Sequence, residues 1–363
     1  MTANLGFEIQ QARRKIVREG LDMSIGEIAS LYEQGEFIIS PPYQRLFRWE
    51  EQQKTRFIES IFLNVPIPPI FVYTKPDGKW ELVDGLQRVS TCLQFMRKLV
   101  LNGDLAKERL VCAGTNLVPG LADVFWPSSA EGNHHNALPI DLQLNFRRAK
   151  IRVEVLGPDT DTDVRFELFQ RLNSGGTNLS EQEVRNCVIF SVSPAAYDAL
   201  RSIAEDANLL ACYEPTDRQK EEQYVTELVL RLVCLRHVPY DGKKDVHEYL
   251  SSAIVEICGN PAFNWEHESA IIRRTFDFIR THAGDKAFWK GNRRSLGLYE
   301  FASLATSRLL ELRNGGADPG EFRRRYDKLL KDRDLERYSK AGVSGTDRWR
   351  HFVAKRGYDY FTR

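Results

Sequence analysis

Between Lys79 and Met96 the spacing of apolar residues changes its period in mid-run. KWELVD has strand composition and follows VPIPPIFVYTK across a KPDGK turn, which together read as a hairpin. From Leu86 onward Val89, Cys92, Leu93 and Met96 recur at helical spacing. The residues at the switch, Asp84-Gly85-Leu86-Gln87-Arg88, therefore occupy a strand-to-helix turn. At such a turn the first helical N–H groups lack partners and the helix dipole presents its positive end, which makes an anion site.

The chain on either side divides by pattern. After an N-terminal helix, SIGEIASLYEQGEF predicts a second one, opened by a capping box of Ser24 and Glu27 and stopped at Gly35. A short strand, FIIS, follows where a helix-turn-helix would need its recognition helix, so that motif is excluded. SPPYQRLFRW starts extended because two prolines fix its backbone. A helix from about Glu50 to Asn64 then carries Phe57, Ile58, Ile61 and Phe62 on one face. Residues 101–145 are rich in Gly, Asn and Pro and read as a surface insertion. AKIRVEVLG predicts a strand, DTDVRFELFQRLNSGG a helix ended by two glycines, and LSEQEVRNCVIF a helix with a capping box of Ser180 and Glu183. Beyond about residue 190 the pattern is almost wholly helical. The expected fold is α+β, with an α/β domain at 1–190 followed by an all-α domain at 191–363.

A chain of 363 residues with 42% hydrophobic residues is long enough for two such cores. No apolar stretch approaches the ~20 residues that cross a bilayer, and the N-terminus mixes charge throughout, so a soluble, cytoplasmic protein with no membrane partner is expected. The six cysteines are scattered singly without metal-type spacing and read as reduced, buried thiols. A net charge of +1 excludes a polycation that binds nucleic acid indiscriminately. Residues 313–363 nevertheless hold 14 Lys/Arg against 8 Asp/Glu, interleaved with aromatics. Arg323, Arg324, Arg348, Arg350, Lys355 and Arg356 are the candidate nucleic-acid contacts there, although a solvated amphipathic helix has the same composition.

Three stretches carry candidate chemistry. At the junction, Gly85 allows close backbone approach, Arg88 offers a planar fork of donors to a phosphate, and Asp84 can hold a divalent cation or orient a water. The plainer alternative makes Asp84 a helix cap, Gly85 a turn residue and Arg88 a surface cation. PPYQRLFRW mounts Gln44, Arg45 and Arg48 on a proline-stiffened segment, which suits a ligand with several phosphates; alternatively Tyr43 and Trp49 are core anchors and the arginines pair with acids. In FQRLNSGGTNLSEQEVRN, Asn173 precedes a Gly-Gly turn of the kind that forms concave anion contacts, and Arg185 is a further phosphate candidate.

In combination, PPYQR-x-x-x-W, the IPPI run before a strand, DG-x-QR at a strand–helix junction and F-x-R-x-N-x-GG-x-x-L-x-x-x-E-x-R-N resemble the N-terminal domain of GmrSD-type modification-dependent restriction systems. This DGQQR-motif domain belongs to the ParB/sulfiredoxin-like group, and the resemblance spans roughly residues 20 to 190. It implies an α/β domain that binds and hydrolyses a nucleoside triphosphate with Mg²⁺, in bacterial defence against foreign and often modified DNA. By position, Tyr43, Gln44 and Arg45 match one family element, Asp84, Gly85, Gln87 and Arg88 the signature, and Asn173 and Gly176 the downstream motif. Asp84, Gln87 and Arg88 are then the candidate catalytic residues and Asp84 the candidate metal ligand. Tyr43, Gln44, Arg45, Gly85, Arg88, Asn173 and Gly176 are the candidate nucleotide contacts.

Leu86 stands where the family signature has its first glutamine, removing an amide able to position a water or a nucleotide oxygen. A non-hydrolysing, nucleotide-gated DNA-binding module of the ParB type is therefore the second reading. The histidines form no His-Asn-His arrangement, and a P-D…E-x-K core fails because Pro76-Asp77 is the hairpin turn and Glu81 is followed by Leu82 and Val83. Cleavage is accordingly expected from a separate nuclease subunit, as in the stand-alone small subunits of the family, and the pattern is compatible with a homo-oligomer. Sulfiredoxin chemistry is excluded, since Cys92 lies four residues beyond Arg88 on the buried stripe.

Overall fold

The computed structural model describes residues 5–7, 9–10, 17–40, 47–101, 104–106, 108–128, 131, 134–157, 171, 181–313, 316–340 and 342–362. The chain divides into two compact units, 1–177 and 178–363.

In the first unit the described elements are β1 (Arg18–Ser24), α1 (Ile25–Glu33), β2 (Phe37–Ile38), α2 (Glu51–Phe62), β3 (Ile70–Thr74), β4 (Trp80–Asp84), α3 (Leu86–Phe95), a small hairpin of β5 (Val100–Leu101) and β6 (Asp104–Leu105), α4 (Ile140–Arg148) and β7 (Lys150–Leu156). Five strands form a mixed sheet in the order β1-β7-β3-β4-β2. The β1/β7 and β3/β4 pairs are antiparallel, whereas β7/β3 and β4/β2 are parallel. Helix α1 begins with one half of the expected box, Ser24 Oγ accepting from Glu27 N–H, and among the described bonds the Glu27 side chain makes none back to the Ser24 N–H. It ends with Gly35 at φ +72, Gly35 N–H on Tyr32 O and Glu36 N–H on Leu31 O, a Schellman stop. The 75–79 turn closes with Gly78 at φ +82.

Two expectations change. Strand β1 stands where the sequence showed no strand signal. It is a charged edge held entirely by long-range pairing with β7, and Arg18–Glu154 and Arg152–Asp22 bridges lace its outer face. Residues 101–145 are not a loose surface insertion, because Leu110, Cys112, Leu121, Phe125 and Leu138 are buried. Thr55 Oγ of α2 accepts from Ala113 N–H, and Thr115 Oγ donates to the buried Glu59. Trp126 joins Phe95 and Phe146 in an aromatic cluster with centroids 5.2–5.9 Å apart. The stretch is stitched to α2 and α3, and helix α4 begins inside it.

The second unit is helical: α5 (Glu181–Val192), α6 (Pro194–Ala204), α7 (Ala207–Tyr213), α8 (Asp217–Glu221), α9 (Tyr224–His237), α10 (Val246–Gly259), α11 (Trp265–Ala283), α12 (Leu296–Leu312), α13 (Pro319–Leu330), α14 (Arg333–Tyr338), α15 (Gly345–Arg348), a π-helical turn (Trp349–Val353) and α16 (Ala354–Arg356), with one hairpin of β8 (Trp289–Lys290) and β9 (Arg293–Arg294). Helix α5 packs on α6, α9 and α10, so it opens this unit and the boundary lies upstream of residue 190. The helix expected over 161–176 and the Ser180 cap lie outside the described residues, apart from Arg171, which is helical. No helix among the described residues is long and apolar enough to cross a membrane.

Charge inside this unit is organised in pairs. Arg231 of α9 donates to Glu227 at 2.6 Å and to Glu300 of α12 at 2.9 Å, and Glu300 also accepts from Arg348 at 2.6 Å. The Glu300 side chain is 0% exposed, so it sits between two buried guanidinium groups as their shared counter-charge. Removing one member of such a group strands the others without solvent. Glu300→Gln is expected to destabilise the helical unit by about 3–5 kcal/mol, read as a lower urea midpoint of the helical circular-dichroism signal. An unchanged midpoint would show that the network is not a structural element.

Candidate functional site

Strand β4 carries a bulge just before its end. Phe71 pairs with Asp84 and Val72 with Leu82, which leaves Val83 as the extra residue. A bulge re-aims the side chain that follows it, and here that is Asp84. The chain then turns at Gly85, which has φ +100 and serves as the N-cap of α3. Gly85 is required on two counts. Its backbone lies in the left-handed region, and an added Cβ would stand 2.4 Å from Ile70 Cγ2. The first ladder bond of α3 is Val89 N–H to Gly85 O, and no cap side chain bonds the helix, so the N–H groups of Leu86, Gln87 and Arg88 begin it.

Three side chains gather around these groups. Arg88 Nη2 donates to Asp84 Oδ2 at 2.6 Å, while its Nη1 donates to Pro68 O at 3.1 Å. The two side chains retain 15% and 22% exposure, so the pair is sheltered but reachable. Burial pushes the Asp84 carboxyl above its ordinary value, against the pull of the Arg88 guanidinium and the Gly85 N–H. Its ionised form is therefore held mainly by Arg88. Gln87 Oε1 accepts from both Arg48 N–H and Trp49 N–H, each at 3.1 Å. This amide oxygen fastens the segment that follows PPYQRL to the junction, and Trp49 then packs on Phe57 of α2 at 5.5 Å. Trp49 is half-buried and anchored on α2 by this contact. Leu86, in place of a glutamine, is 7% exposed and belongs to the core.

The structure brings together Asp84, Gly85, Gln87 and Arg88. Tyr43, Gln44, Arg45, Asn173 and Gly176 lie outside the described residues. Arg185, a phosphate candidate from its motif, is fully buried and bonded to Glu181, Gln182 and Ser251, because α5 packs it inside the helical unit. Among the described residues no group of three or more His, Cys, Asp or Glu is placed to hold a metal ion. Asp84 is the one carboxylate at the junction identified by motif. Magnesium commonly binds through one or two carboxylates completed by substrate phosphates and water, so this donor set fits Mg²⁺ only together with a phosphate ligand. Cys92 is buried and its thiol pushed up by burial, which removes it from thiolate chemistry.

The basic C-terminal segment is largely internal structure. Arg348 is buried against Glu300, Arg350 donates to Gly242 O, and Arg356 pairs with Asp332 and Asp334 at 2.7 and 2.6 Å. Arg323 pairs with Asp327 and reaches His282 O. Trp349, Phe352, Phe361 and Tyr326 are core residues and offer no stacking face. Arg324 and Lys355 stay exposed.

Two features of the junction escaped the sequence. One is the carbonyl of Pro68, which orients Arg88, and its only signal was the IPPI run ahead of β3. The other is the Gln87 amide oxygen, whose partners lie 38 and 39 residues away. Gln87→Leu is expected to release the Arg48 and Trp49 amides and raise their hydrogen-exchange rates, whereas Gln87→Glu, which keeps an acceptor, preserves their protection. Equal protection in Gln87→Leu would place the hold on the 47–49 segment elsewhere.

Neither a curated protein nor a solved structure matches the chain. One family model does, that of the GmrSD restriction endonuclease, N-terminal domain, over residues 25–190. That span contains the whole junction with the segment Gln87 fastens to it, and it runs into α5, the first helix of the second unit. Residues 25–190 therefore form an N-terminal domain of the GmrSD restriction endonuclease type.

Proposed function

We propose that this component of a restriction system binds and hydrolyses a nucleoside triphosphate, and that it acts on DNA together with a separate nuclease subunit. The observation that carries the reading is the junction itself. Three N–H groups at the start of α3, the Arg88 guanidinium and a half-buried carboxylate lie within one turn of backbone. Aligned helical amides with an arginine fork are a phosphate seat. The Gln87 hold on the Arg48 and Trp49 amides ties the neighbouring segment to the same junction.

The ion pair defines what binding must do. An incoming phosphate competes with Asp84 for Arg88, and a carboxylate already raised by burial then loses its main counter-charge. Asp84 would hold Mg²⁺ at that point, and the metal when bound neutralises charge on the phosphates. Arg88 grips the phosphate that receives developing charge, the α3 amides fix its orientation, and Gln87 positions the 47–49 segment beside it. Anion and cation are expected to bind together, each weakly alone. A fold of the ParB/sulfiredoxin-like group accords with the mixed sheet and with the ligand-facing strand–helix turn.

The Leu86 side chain is buried in the core and leaves the backbone amides of the junction in place, so its presence where the family signature has a glutamine leaves phosphate binding intact. Phosphate release is expected only with Mg²⁺, to fall by about a hundredfold or more in Asp84→Ala, and to be raised by duplex DNA. Arg88→Ala is expected to weaken nucleotide binding by roughly 10- to 100-fold, the worth of a charge-assisted hydrogen bond. Tight binding without release in the unmodified chain would replace hydrolysis with the nucleotide-gated clamp. Absence of any nucleotide-induced rise in melting temperature at saturating ligand would remove both.

A further inference from the structure

We propose that the β8–β9 hairpin of the helical unit is a contact for the phosphate backbone of duplex DNA. The identity of the polyanion rests on the restriction-system reading above, while the cationic character of the surface stands on its own. Between residues 285 and 294 the chain carries Lys286, Lys290, Arg293 and Arg294 against the single acid Asp285, which is itself bound to Arg280. The hairpin register places Lys290 directly opposite Arg293. Like charges facing each other across a two-stranded ribbon are destabilising, and neither side chain has a described hydrogen bond or ion pair to offset this. A row of phosphates reverses the sign of that interaction.

The ribbon is also rigidly mounted. Phe288 is fully buried at its base, and its N–H donates to Cys212 O at 3.1 Å, while Lys286 N–H donates to Ala211 O at 3.0 Å. Trp289 Nε1 donates to Tyr213 O at 3.0 Å, which anchors the indole. Lys286 Nζ and the Arg294 guanidinium lie 4.8 and 4.7 Å from its ring centroid, so the indole serves as a platform that holds two cations and is not itself a free stacking surface. Lys286 is further tied to Glu214, and Arg294 to the Glu214 carbonyl. Gly291 turns the tip at φ +60. The outcome is a short, stiff strand pair with an uncompensated Lys290–Arg293 end. A preorganised ribbon of that kind meets a duplex at little entropic cost.

The test is duplex-DNA binding by the full chain, by fluorescence anisotropy across a salt series, for the unmodified protein, Lys290→Glu/Arg293→Glu and Arg324→Glu/Lys355→Glu. Removal of two phosphate contacts is expected to make the slope of log affinity against log salt shallower by about two. Affinity at about 150 mM salt should fall at least tenfold, while the 324/355 variant keeps both values. Nucleotide binding at the junction should be unchanged in the hairpin variant. The proposal is overturned by an unchanged slope in the hairpin variant, by a shallower slope in the 324/355 variant instead, or by no DNA binding in the unmodified chain with and without nucleotide. It is likewise overturned if the hairpin variant loses binding of a polyglutamate probe but not of DNA. Loss of nucleotide response with DNA binding intact would count against the nucleotide reading alone.

Discussion

One side-chain oxygen ties the candidate site together. Gln87 Oε1 receives the N–H groups of Arg48 and Trp49, and so joins the start of α3 to the segment that leads into α2. The rest of the junction is arranged so that this bond can form. The bulge at Val83 ends β4 out of alternation, Gly85 turns with Ile70 packed against it, and the Pro68 carbonyl holds one arm of Arg88. Each device lies in a different stretch of sequence, and together they leave three helical amides next to an arginine and a carboxylate. The Asp84–Arg88 pair keeps both charges partly satisfied without a ligand, at the cost that a ligand must displace one for the other.

Arginine in this chain does two opposite jobs, and burial of a matching acid separates them. Arg231 and Arg348 share Glu300 and belong to the architecture of the helical unit, as Arg185 does with Glu181 and Gln182. Buried guanidinium groups of this kind are weak evidence of net stability but strong evidence that removing a partner is costly. Lys290 and Arg293 face one another on a rigid ribbon with no such acid. The same residue type is structural in the first setting and waits for an external anion in the second.

The periodic elements were legible in the sequence because their signals are local. The change of period at Asp84–Gly85, the Ser24 cap, the Gly35 stop and helix α2 all appear where the pattern places them, and the chain beyond residue 190 is helical as expected. What escaped depends on partners distant in sequence. Strand β1, with Glu, Gly and Asp among its residues, exists through its register with β7. The 101–145 stretch has the composition of a loop, yet Thr55, Glu59 and an aromatic cluster hold it in place. The basic and aromatic residues after 313 resembled a nucleic-acid surface because composition does not record that Trp349 and Phe352 face inward and that Arg348 has Glu300. At the site, the glycine and the ion-pair residues were recognisable from the motif, whereas the use of Gln87 as a clamp required knowing where residues 48 and 49 go.

The central claim is that phosphate is received by the first amides of α3. Hydrogen exchange of the Leu86, Gln87 and Arg88 N–H groups, measured with and without saturating Mg²⁺ and nucleoside triphosphate, tests it most directly. Marked slowing at these three positions upon nucleotide addition is the predicted result. Binding established by titration, with exchange at those amides unchanged and protection appearing elsewhere, would contradict it.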